Sequence, residues 1–509
     1  MSPLFPHQQA VVDAVLPHLP GGWALLPEQR VGKSRIAVEL ARRMEARRVL
    51  VLCPSQAGNV PKVWLDEAAA QWPGMRLTNL TGTGRERAET LKRLDGQPGI
   101  VICNYESAWR SPLGPTFGRR GMTALGALAG QQWDVLICDE VHRLKHATGA
   151  HHRMAVVIAD RTPVRLGLTG TPMHSPLDIW GQMRILVPAA FGTSYVSFRL
   201  RYTRPAEKRE LRDKDLTWTR DRGGALHPWK YRDLDDLHER LARYSTRILL
   251  RDAFPDMPPE LPDEVRTVEL EPAARKVYRE MARDFVAGVE GGTVVAANAG
   301  VKVLRLQQLC GGTLRDATGV EHRISTAKES LLHEMLIDFG DEPLVIFGRF
   351  HSDLDAIHRA CKAAGVTSSE LSGRRSELAE WQAGETQVLV AQIQSGGVGI
   401  DLTRANTVVY YSPGTSLIDH MQSRSRILGP KQTKPASYVY LVVTGTADGG
   451  DEAVYASLAA RQDVVRSIIG RLATAAPSAS HPRRRAAAQS TPTRGRTPRS
   501  PSCDTGASR

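Results

Sequence analysis

The sequence predicts an α/β protein with two parallel-sheet lobes, a helical insertion between them and a disordered basic tail. Short, nearly continuous apolar runs recur along the chain, as expected for strands that are buried on both faces. Helical patterns separate these runs, and such alternation indicates parallel sheets with crossover helices. The predicted segments are lobe 1 at 1–190, the insertion and inter-lobe connection at 191–324, lobe 2 at 325–470 and the tail at 471–509.

The two lobes share one pattern of apolar runs. In lobe 1 we predict helices at 34–44 and 62–72, and strands at 23–26, 49–52, 100–102, 135–137 and 164–168. In lobe 2 we predict strands at 344–347, 388–390, 408–410 and 438–443. Strands that alternate with helices in both halves favour two sheets of the same architectural class.

The middle and the end of the chain differ from the lobes. Residues 195–265 are rich in Arg, Asp and Trp and contain few buried-strand runs, which favours an insertion. Two helices are predicted after it, at 272–289 and 301–309. From about Thr474 the chain is mostly Ala, Ser, Pro, Thr and Arg, which cannot bury enough apolar surface to offset the entropy of ordering. This segment is therefore the predicted disordered tail.

The charge balance favours a polyanionic partner. The 509-residue chain has a formal net charge of +13, and nucleic acid is the commonest polyanion that basic proteins bind. Seven arginines and one aspartate lie between Leu472 and the end, so six of the thirteen net charges belong to the tail. The remaining part is basic, but only moderately so.

Other classes of protein are not supported by the composition. The chain has no run of 18 or more apolar residues, and its first six residues lack the features of a signal peptide. The six cysteines are scattered without a Cys-x-x-Cys pair, which favours reduced core residues over disulfides or a zinc site. We therefore expect a cytoplasmic protein without a membrane partner.

The first candidate site is a phosphate-binding loop that ends in Gly32-Lys33-Ser34. It lies between a predicted strand and a predicted helix, and backbone N–H groups at a helix N-terminus bind phosphate. Gly32 permits close backbone approach, Lys33 reaches the β- and γ-phosphates and the Ser34 hydroxyl binds Mg²⁺. The full pattern has glycine at position 27, where this chain has Pro27. Taken alone, the tripeptide is also compatible with a turn before a surface helix.

The second candidate site is Asp139-Glu140-Val141-His142, directly after a predicted strand. Ligand sites in parallel sheets lie at the carboxyl ends of strands. Asp139 can hold Mg²⁺ directly or through water, Glu140 can orient or deprotonate the attacking water, and His142 is expected to couple the nucleotide state to lobe 2. A helix N-cap with an acidic first turn is the alternative. Because Lys33 supplies the partner motif, the catalytic interpretation is favoured.

Together these motifs resemble the superfamily 2 helicase-like ATPases of the DEAD/DEAH-box type. Within them the chain is most similar to Snf2-related double-stranded DNA translocases, in the compact form of bacteria and their phages. The resemblance covers about residues 4–460. It implies two RecA-like lobes that bind ATP and Mg²⁺ in the cleft between them, a Gln8 side chain that contacts adenine, and a DNA-associated protein of a bacterial or phage-infected cell.

The resemblance also implies contacts to nucleic acid. The segments Cys53-Pro54-Ser55, Asn104-Tyr105-Glu106 and Leu168-Thr169-Gly170-Thr171-Pro172 resemble motifs of lobe 1, and residues 395–402 resemble a glycine-rich motif of lobe 2. Glycines at such density indicate close approach of the backbone to a ligand. The implied nucleic-acid contacts are Pro54, Tyr105, Thr171 and Gly397. The implied nucleotide contacts in lobe 2 are Gly399 and Asp401.

The last family motif, Q-x-x-x-R-x-x-R-x-x-Q, carries arginines that reach the γ-phosphate from lobe 2. Aligned without gaps, it places Gln422, Arg426, Gly429 and Gln432 at the four defined positions. Arg426 is therefore the predicted cross-cleft arginine, whereas glycine occupies the second arginine position. Arg424 and Lys431 are alternatives for that second charge. An arginine finger contributes ~10³–10⁵ in rate, so Gly429 bears directly on turnover.

The sequence thus predicts a nucleic-acid-stimulated ATPase that moves along or remodels duplex DNA, with Lys33, Glu140 and Arg426 as catalytic residues. Three alternatives remain open. One is a strand-separating DNA or RNA helicase, for which the sequence shows no wedge element. Another is a nucleotide-gated DNA clamp with little turnover, because Gly429 replaces an arginine. The third is a structural DNA-associated protein that uses only the charge of its tail.

Overall fold

The computed structural model describes most of the chain outside its C-terminal tail. The described residues are 3–54, 59–119, 121–170, 173, 175–210, 216–220, 226–284, 286–289, 292–295, 299–316, 318–393 and 400–470. They fall in one compact unit, Met1–Pro477. The predicted disorder of 471–509 lies outside the described residues, as do Thr171, Gly397 and Gly399.

Lobe 1 alternates strands and helices from the start of the described chain. Its strands are β1 (Gly22–Pro27), β2 (Arg48–Cys53), β3 (Leu77–Asn79), β4 (Gly99–Asn104), β5 (Thr116–Gly118), β6 (Gly121–Ala124), β7 (Val135–Asp139) and β8 (Val164–Leu168). Its helices are α1 (Pro6–Val15), α2 (Lys33–Arg43), α3 (Asn59–Gln71), α4 (Gly84–Arg93), α5 (Tyr105–Ala108), α6 (Gly126–Gly130), α7 (Ala150–Ala159), α8 (Asp178–Leu186) and α9 (Pro188–Phe191). All five strands that the sequence predicts here are present.

The middle segment contains more strands than the sequence predicts. Its strands are β9 (Thr203–Pro205), β10 (Leu216–Arg220), β11 (Leu226–Tyr231), β12 (Ser245–Ile248), β13 (Glu264–Val268), β14 (Val286–Val289), β15 (Gly292–Val295), β16 (Thr313–Arg315) and β17 (Glu321–Arg323). Its helices are α10 (Tyr195–Tyr202), α11 (Leu234–Ala242), α12 (Leu250–Ala253), α13 (Pro272–Asp284) and α14 (Ala299–Cys310).

Lobe 2 returns to the pattern of lobe 1. Its strands are β18 (Leu344–Gly348), β19 (Ser368–Leu371), β20 (Val388–Gln392), β21 (Thr407–Tyr410) and β22 (Ser437–Val443). Its helices are α15 (Ala327–Asp338), α16 (His351–Ala363), α17 (Leu378–Ala383), α18 (Leu417–Arg424) and α19 (Asp451–Gly470). In the described part of the chain, no helix is long and apolar enough to cross a membrane.

Each lobe is organised around one parallel sheet. Within the described residues, the lobe 1 sheet has the order β12-β1-β8-β7-β2-β4-β3 and the lobe 2 sheet the order β13-β22-β21-β18-β20-β19. All neighbouring pairs in both sheets are parallel. The central strands are fully buried, as in β2 and β7, because helices cover both faces. The predicted fold class, two parallel-sheet α/β lobes, is confirmed.

The middle segment departs from the predicted helical insertion in two ways. It carries an antiparallel sheet of β10, β11 and β9, and the predicted helix at 272–289 ends at Asp284, where β14 pairs with β15. It also supplies β12 to the lobe 1 sheet and β13 to the lobe 2 sheet. The segment therefore contributes one edge strand to each lobe, and the domain limits at 190 and 325 stay a prediction.

Candidate nucleotide-binding site

A cavity of about 290 Å³ lies where the two lobes meet. Lobe 1 lines the cavity with the loop before α2, with α3 and with the end of β7. Lobe 2 lines it with residues 400 and 401, which precede α18, and with residue 426, which follows it. Among the lining residues are Gln29, Arg30, Gly32, Lys33, Ser34, Trp64, Asp139, Glu140, Ile400, Asp401 and Arg426. Residues predicted from separate motifs 100 to 400 positions apart therefore share one cleft.

The phosphate loop closes tightly against α1. Gly32 has a φ of +85°, a conformation that glycine adopts at no steric cost, and it is the N-cap of α2. A Cβ at this position would lie 2.1 Å from Nε2 of Gln8, so a larger residue would have to displace the Gln8 side chain. Gln8 donates from Nε2 to the carbonyl of Val31 at 3.1 Å and accepts from Phe5 N at 3.1 Å. Gln8 thus holds the loop in place, and its contact with adenine stays a prediction.

Lys33 and Glu140 form a buried ion pair at the centre of the cleft. The ammonium of Lys33 also acts on Asp139, which accepts from Trp64 Nε1 at 2.9 Å and from the backbone N–H of Glu140 at 3.0 Å. Glu140 itself has a φ of +47°. Strained non-glycine residues of this kind persist where the surrounding structure holds them, often at functional sites.

The two carboxylates have opposite pKa shifts. Burial favours the neutral acid at Glu140, but the charge of Lys33 and the hydrogen bonds from His142 and Lys33 outweigh it and hold the pKa of Glu140 below its usual range. Burial raises the pKa of Asp139, and the neighbouring charge of Glu140 adds to this rise, while Lys33 opposes it. Neighbouring acids with divergent environments are typical of sites that separate two roles.

His142 lies behind Glu140. Its Nδ1 is 2.9 Å from Oγ1 of Thr169 and 3.3 Å from a carboxylate oxygen of Glu140. Thr169 is fully buried and also donates to Glu140 at 3.2 Å. His142 therefore joins the acidic motif to the end of β8 within lobe 1, and its expected coupling to lobe 2 stays a prediction.

Lobe 2 faces the cleft with Arg426 and Asp401. Burial lowers the pKa of Arg426 to about 10, the charge of Arg30 acts in the same direction and that of Glu140 opposes it. Arg30 donates to the Asp401 carboxylate at 3.1 Å, and Asp401 also accepts from Thr403. The charges of Arg426 and Glu140 therefore interact across the cleft, and the role of Arg426 as a cross-cleft arginine stays a prediction.

The two alternatives for the second arginine have different surroundings. Arg424 is buried, donates to Asp263 at 2.7 Å and to Glu260 at 3.2 Å, and stacks on the Tyr438 ring at 3.6 Å. It therefore fastens the inter-lobe connection to lobe 2 and does not replace the missing arginine. Lys431 lies at the rim, with Nζ 3.8 Å from Asp401 and most of its side chain exposed.

Two of the four predicted nucleic-acid contacts are inaccessible. Tyr105 is fully buried and donates its hydroxyl to the carbonyl of Asp139 at 2.8 Å. Pro54 is also buried, at the end of β2. Both side chains pack inside lobe 1 and do not reach the surface, and a contact of these residues with nucleic acid stays a prediction. The other two, Thr171 and Gly397, lie outside the described residues.

The donor set of the cleft fits Mg²⁺ bound together with nucleotide phosphates. Among the described residues there is no group of three or more His, Cys, Asp or Glu side chains that could hold a metal alone. Mg²⁺ usually takes one or two carboxylates and completes its shell with phosphates and water. Asp139 and Ser34 line the same cavity and supply such a partial set.

Sequence reasoning missed Arg30 and Thr169 as parts of the site. Arg30 reaches lobe 2 from the phosphate loop, and Thr169 connects Glu140 with His142. A charged residue inside a loop that cradles phosphate is the one sequence feature that could have drawn attention to Arg30. Thr169 belongs to the segment 168–172 that resembles a family motif, but it meets Glu140 and His142 only because β7 pairs with β8.

Comparison with known protein families shows to which family this chain belongs. A family model described as the SNF2-related domain matches residues 27–312, more than half of the chain. The chain belongs to the SNF2-related family. A second model, the helicase conserved C-terminal domain, matches residues 327–428 of lobe 2. The resemblance predicted from the motifs is confirmed.

SNF2-related proteins of several organisms are similar to this chain. The DNA excision repair protein ERCC-6-like of Homo sapiens is 22% identical over 489 residues, which cover 83% of this chain and 37% of the human protein. The chromodomain-helicase-DNA-binding protein 1-like of Mus musculus is 22% identical over 480 residues, 89% of this chain and 48% of that protein. The chain therefore spans less than half the length of these relatives. A solved SWI2/SNF2 ATPase core of Sulfolobus solfataricus in complex with dsDNA matches 92% of this chain and 93% of its own, with 20% identity and a TM-score of 0.40.

Proposed function

We propose that this SNF2-related protein is an ATP-dependent motor that moves along or remodels double-stranded DNA and hydrolyses ATP with Mg²⁺ in the cleft between its lobes. The observation that carries the proposal is the convergence of Lys33, Asp139, Glu140 and Arg426 on one inter-lobe cavity. The net charge of +13 favours a nucleic-acid partner. The names of the human and mouse relatives, a DNA excision repair protein and a helicase-DNA-binding protein, support DNA as that partner.

The cleft residues divide the chemistry of hydrolysis among them. Lys33 would bind the β- and γ-phosphates and exchange its present partner, Glu140, for them. Since Lys33 holds the pKa of Glu140 down, its departure would make Glu140 a better base toward the attacking water. Arg426 would neutralise charge that develops on the γ-phosphate from the side of lobe 2. Ser34 and Asp139 would hold Mg²⁺, which supplies charge neutralisation between the phosphates.

The cleft also provides the link from hydrolysis to movement. Lobe 1 contributes the phosphate loop and the acids, and lobe 2 contributes Asp401 and Arg426, so a bound nucleotide would draw the lobes together. Release of phosphate would remove the negative charge that Lys33 of lobe 1 and Arg426 of lobe 2 both bind, so the lobes could separate again. Alternate closing and opening around ATP would then shift two DNA-contacting lobes along the duplex.

Steady-state phosphate release tests the proposal. ATP turnover is measured without nucleic acid, then with duplex DNA, single-stranded DNA and RNA, and Lys33→Ala serves as the blank. Strong stimulation by duplex DNA, together with displacement of a third strand from a triplex, is the expected result. Stimulation by single strands or RNA, with opening of a forked substrate, would favour a strand-separating helicase instead.

Gly429 is the reason for a second candidate function, a nucleotide-gated DNA clamp. In that case ATP would close the lobes on DNA, but turnover would be slow because one arginine position is glycine. ATP-dependent DNA binding without phosphate release would identify the clamp. DNA binding that is indifferent both to ATP and to Lys33→Ala would leave only the role of a charged DNA-associated protein.

A further inference from the structure

Arg30 has a strained backbone within the phosphate loop. Its φ is +66°, and the non-glycine residues with positive φ among those described are Arg30, Glu45, Glu140 and Asp233. An L-residue with a long side chain is disfavoured in this region, whereas glycine enters it freely. Two of the four, Arg30 and Glu140, line the nucleotide cleft. The strain at Arg30 therefore indicates that its side chain does something that glycine could not.

The Arg30 side chain crosses from lobe 1 to lobe 2. One guanidinium nitrogen donates to the carbonyl of Ile400 at 3.0 Å and to the carbonyl of Arg426 at 2.7 Å, and the other donates to the Asp401 carboxylate at 3.1 Å. The side chain is only 17% exposed. The planar fork of arginine suits several fixed acceptors at once, and the ammonium of lysine does not.

Gly429 leaves the space that Arg30 occupies. A Cβ at position 429 would lie 3.2 Å from Cδ and 3.3 Å from Nη1 of Arg30, and Gly429 has a φ of +142°. Any side chain at 429 would therefore press on Arg30. Gly429 of lobe 2, at the second arginine position of the family motif, therefore packs directly against Arg30 of the phosphate loop in lobe 1.

We propose that Arg30 is a positioning residue, a tether that joins the phosphate loop to the backbone of Arg426. This inference rests on the proposed ATPase function and deepens it. Because Arg30 binds the carbonyl of Arg426 itself, a shift of the loop around nucleotide moves the segment that carries the cross-cleft arginine. Arg30 thus couples occupancy of the phosphate loop to closure of lobe 2, while Asp401 balances its charge within the cleft.

The test compares Arg30→Gly with Glu45→Gly in the full chain. Both variants remove a side chain from a left-handed backbone, but Glu45 is exposed at the end of α2, away from the cleft. Arg30→Gly should remain folded at the assay temperature and bind a fluorescent ATP analogue within about threefold of wild type. Its DNA-stimulated kcat should fall by about tenfold or more, since three charge-assisted hydrogen bonds between the lobes are lost. Glu45→Gly should leave kcat unchanged.

A second readout measures closure without turnover. Dyes on cysteines introduced at exposed Asp66 in lobe 1 and Lys362 in lobe 2, with Cys503 replaced by serine, report the distance between the lobes by energy transfer. A non-hydrolysable ATP analogue should shorten this distance in wild type and in Glu45→Gly, and markedly less in Arg30→Gly. The five cysteines of the described chain are buried and should not label.

A double-mutant cycle isolates the contact with position 429. Gly429→Ala should reduce nucleotide-induced closure in wild type, but should add little in the Arg30→Gly background, where no side chain remains to be displaced. Additive effects would overturn the tether. So would unchanged kcat and closure in Arg30→Gly, or a loss of ATP binding, which would mark a purely local role in the phosphate loop. Absence of ATP turnover in wild type would refute the proposed ATPase function. The energy-transfer measurement of lobe closure would then test the role of Arg30 by itself.

Discussion

Glu140→Gln should lower DNA-stimulated ATP turnover by about 10²–10⁴-fold, the usual contribution of a general base. The depressed pKa of Glu140 keeps it ionised at neutral pH, and it would become a stronger base toward water once Lys33 had moved to the ATP phosphates. Glutamine has nearly the same shape and can still accept a hydrogen bond from Thr169, which lies 3.2 Å from the carboxylate. The substitution therefore removes the base and can leave the hydrogen bond from Thr169 in place.

The same substitution should change stability in a way that depends on nucleotide. Lys33 is 14% exposed and Glu140 8%, so the variant leaves a buried ammonium without its carboxylate. Breaking one partner of a buried pair costs about 3–5 kcal/mol, and the remaining amide oxygen should reduce this to the lower end. ATP phosphates would supply the missing negative charge. The ATP-induced rise in melting temperature should therefore be larger in Glu140→Gln than in wild type.

The assays are phosphate release and thermal melting with and without ATP and Mg²⁺. Glu370→Gln is the matched control, because Glu370 is buried as Glu140 is but lies outside the cleft. The pKa of Glu370 is lowered to about 2, since hydrogen bonds from Arg374 and Ser372 outweigh the effect of burial. The control should lose stability without losing turnover. Full activity of Glu140→Gln would remove Glu140 from the chemistry. A variant that melts as wild type does, with no larger gain from ATP, would refute the role of the Lys33 pair.

Three further predictions concern the rest of the molecule. Arg426→Ala should reduce single-turnover hydrolysis by ~10³–10⁵-fold while ATP still binds, and a loss below tenfold would assign the cross-cleft role elsewhere. Trp64→Phe removes the 2.9 Å hydrogen bond to Asp139, so the Mg²⁺ concentration for half-maximal turnover should rise roughly tenfold; an unchanged Mg²⁺ requirement would argue against Asp139 as a ligand. Burial, aided by the charge of Arg424, lowers the pKa of His420 from 6.5 to about 3, so the unfolded state binds the extra proton between these values. The unfolding free energy of lobe 2 should therefore fall by ~1.4 kcal/mol per pH unit below about 6.5. Urea denaturation followed by tryptophan fluorescence should show this slope at pH 7.5 to 5.5, and His420→Gln should remove it while His351→Gln, at an exposed position, does not.

The buried strands were predictable because their chemistry is local. Runs such as 49–52 and 135–137 consist of apolar residues that a sheet covered on both faces requires, and they became β2 and β7. The edge strands were not predictable. In β13 the first four residues are exposed and only the last is partly buried, so no apolar run marks it. Its strand conformation comes from pairing with β22, a partner about 170 residues away.

The site divides in the same way. Gly32, Lys33 and Ser34 act through a loop and a helix start that their own sequence determines, and Asp139 and Glu140 follow a strand that their neighbours determine. The burial of Tyr105 could not be predicted, because its hydroxyl binds a carbonyl on a strand 34 positions away. Motif position alone placed it at the nucleic-acid face.

The sequence by itself determined the α/β class, the number of parallel sheets and the residue types that meet phosphate, since these depend on periodicity and on short motifs with local geometry. The tertiary structure alone decided which charges meet across the cleft. Lys33 pairs with Glu140, Arg424 turns away to Asp263, and Arg30 crosses to Asp401 beside the space left at Gly429. The partners in these pairs lie 107, 161 and 371 positions apart, within lobe 1, between the connection and lobe 2, and between the two lobes, respectively. Ion pairs at such separations leave no local pattern in the chain.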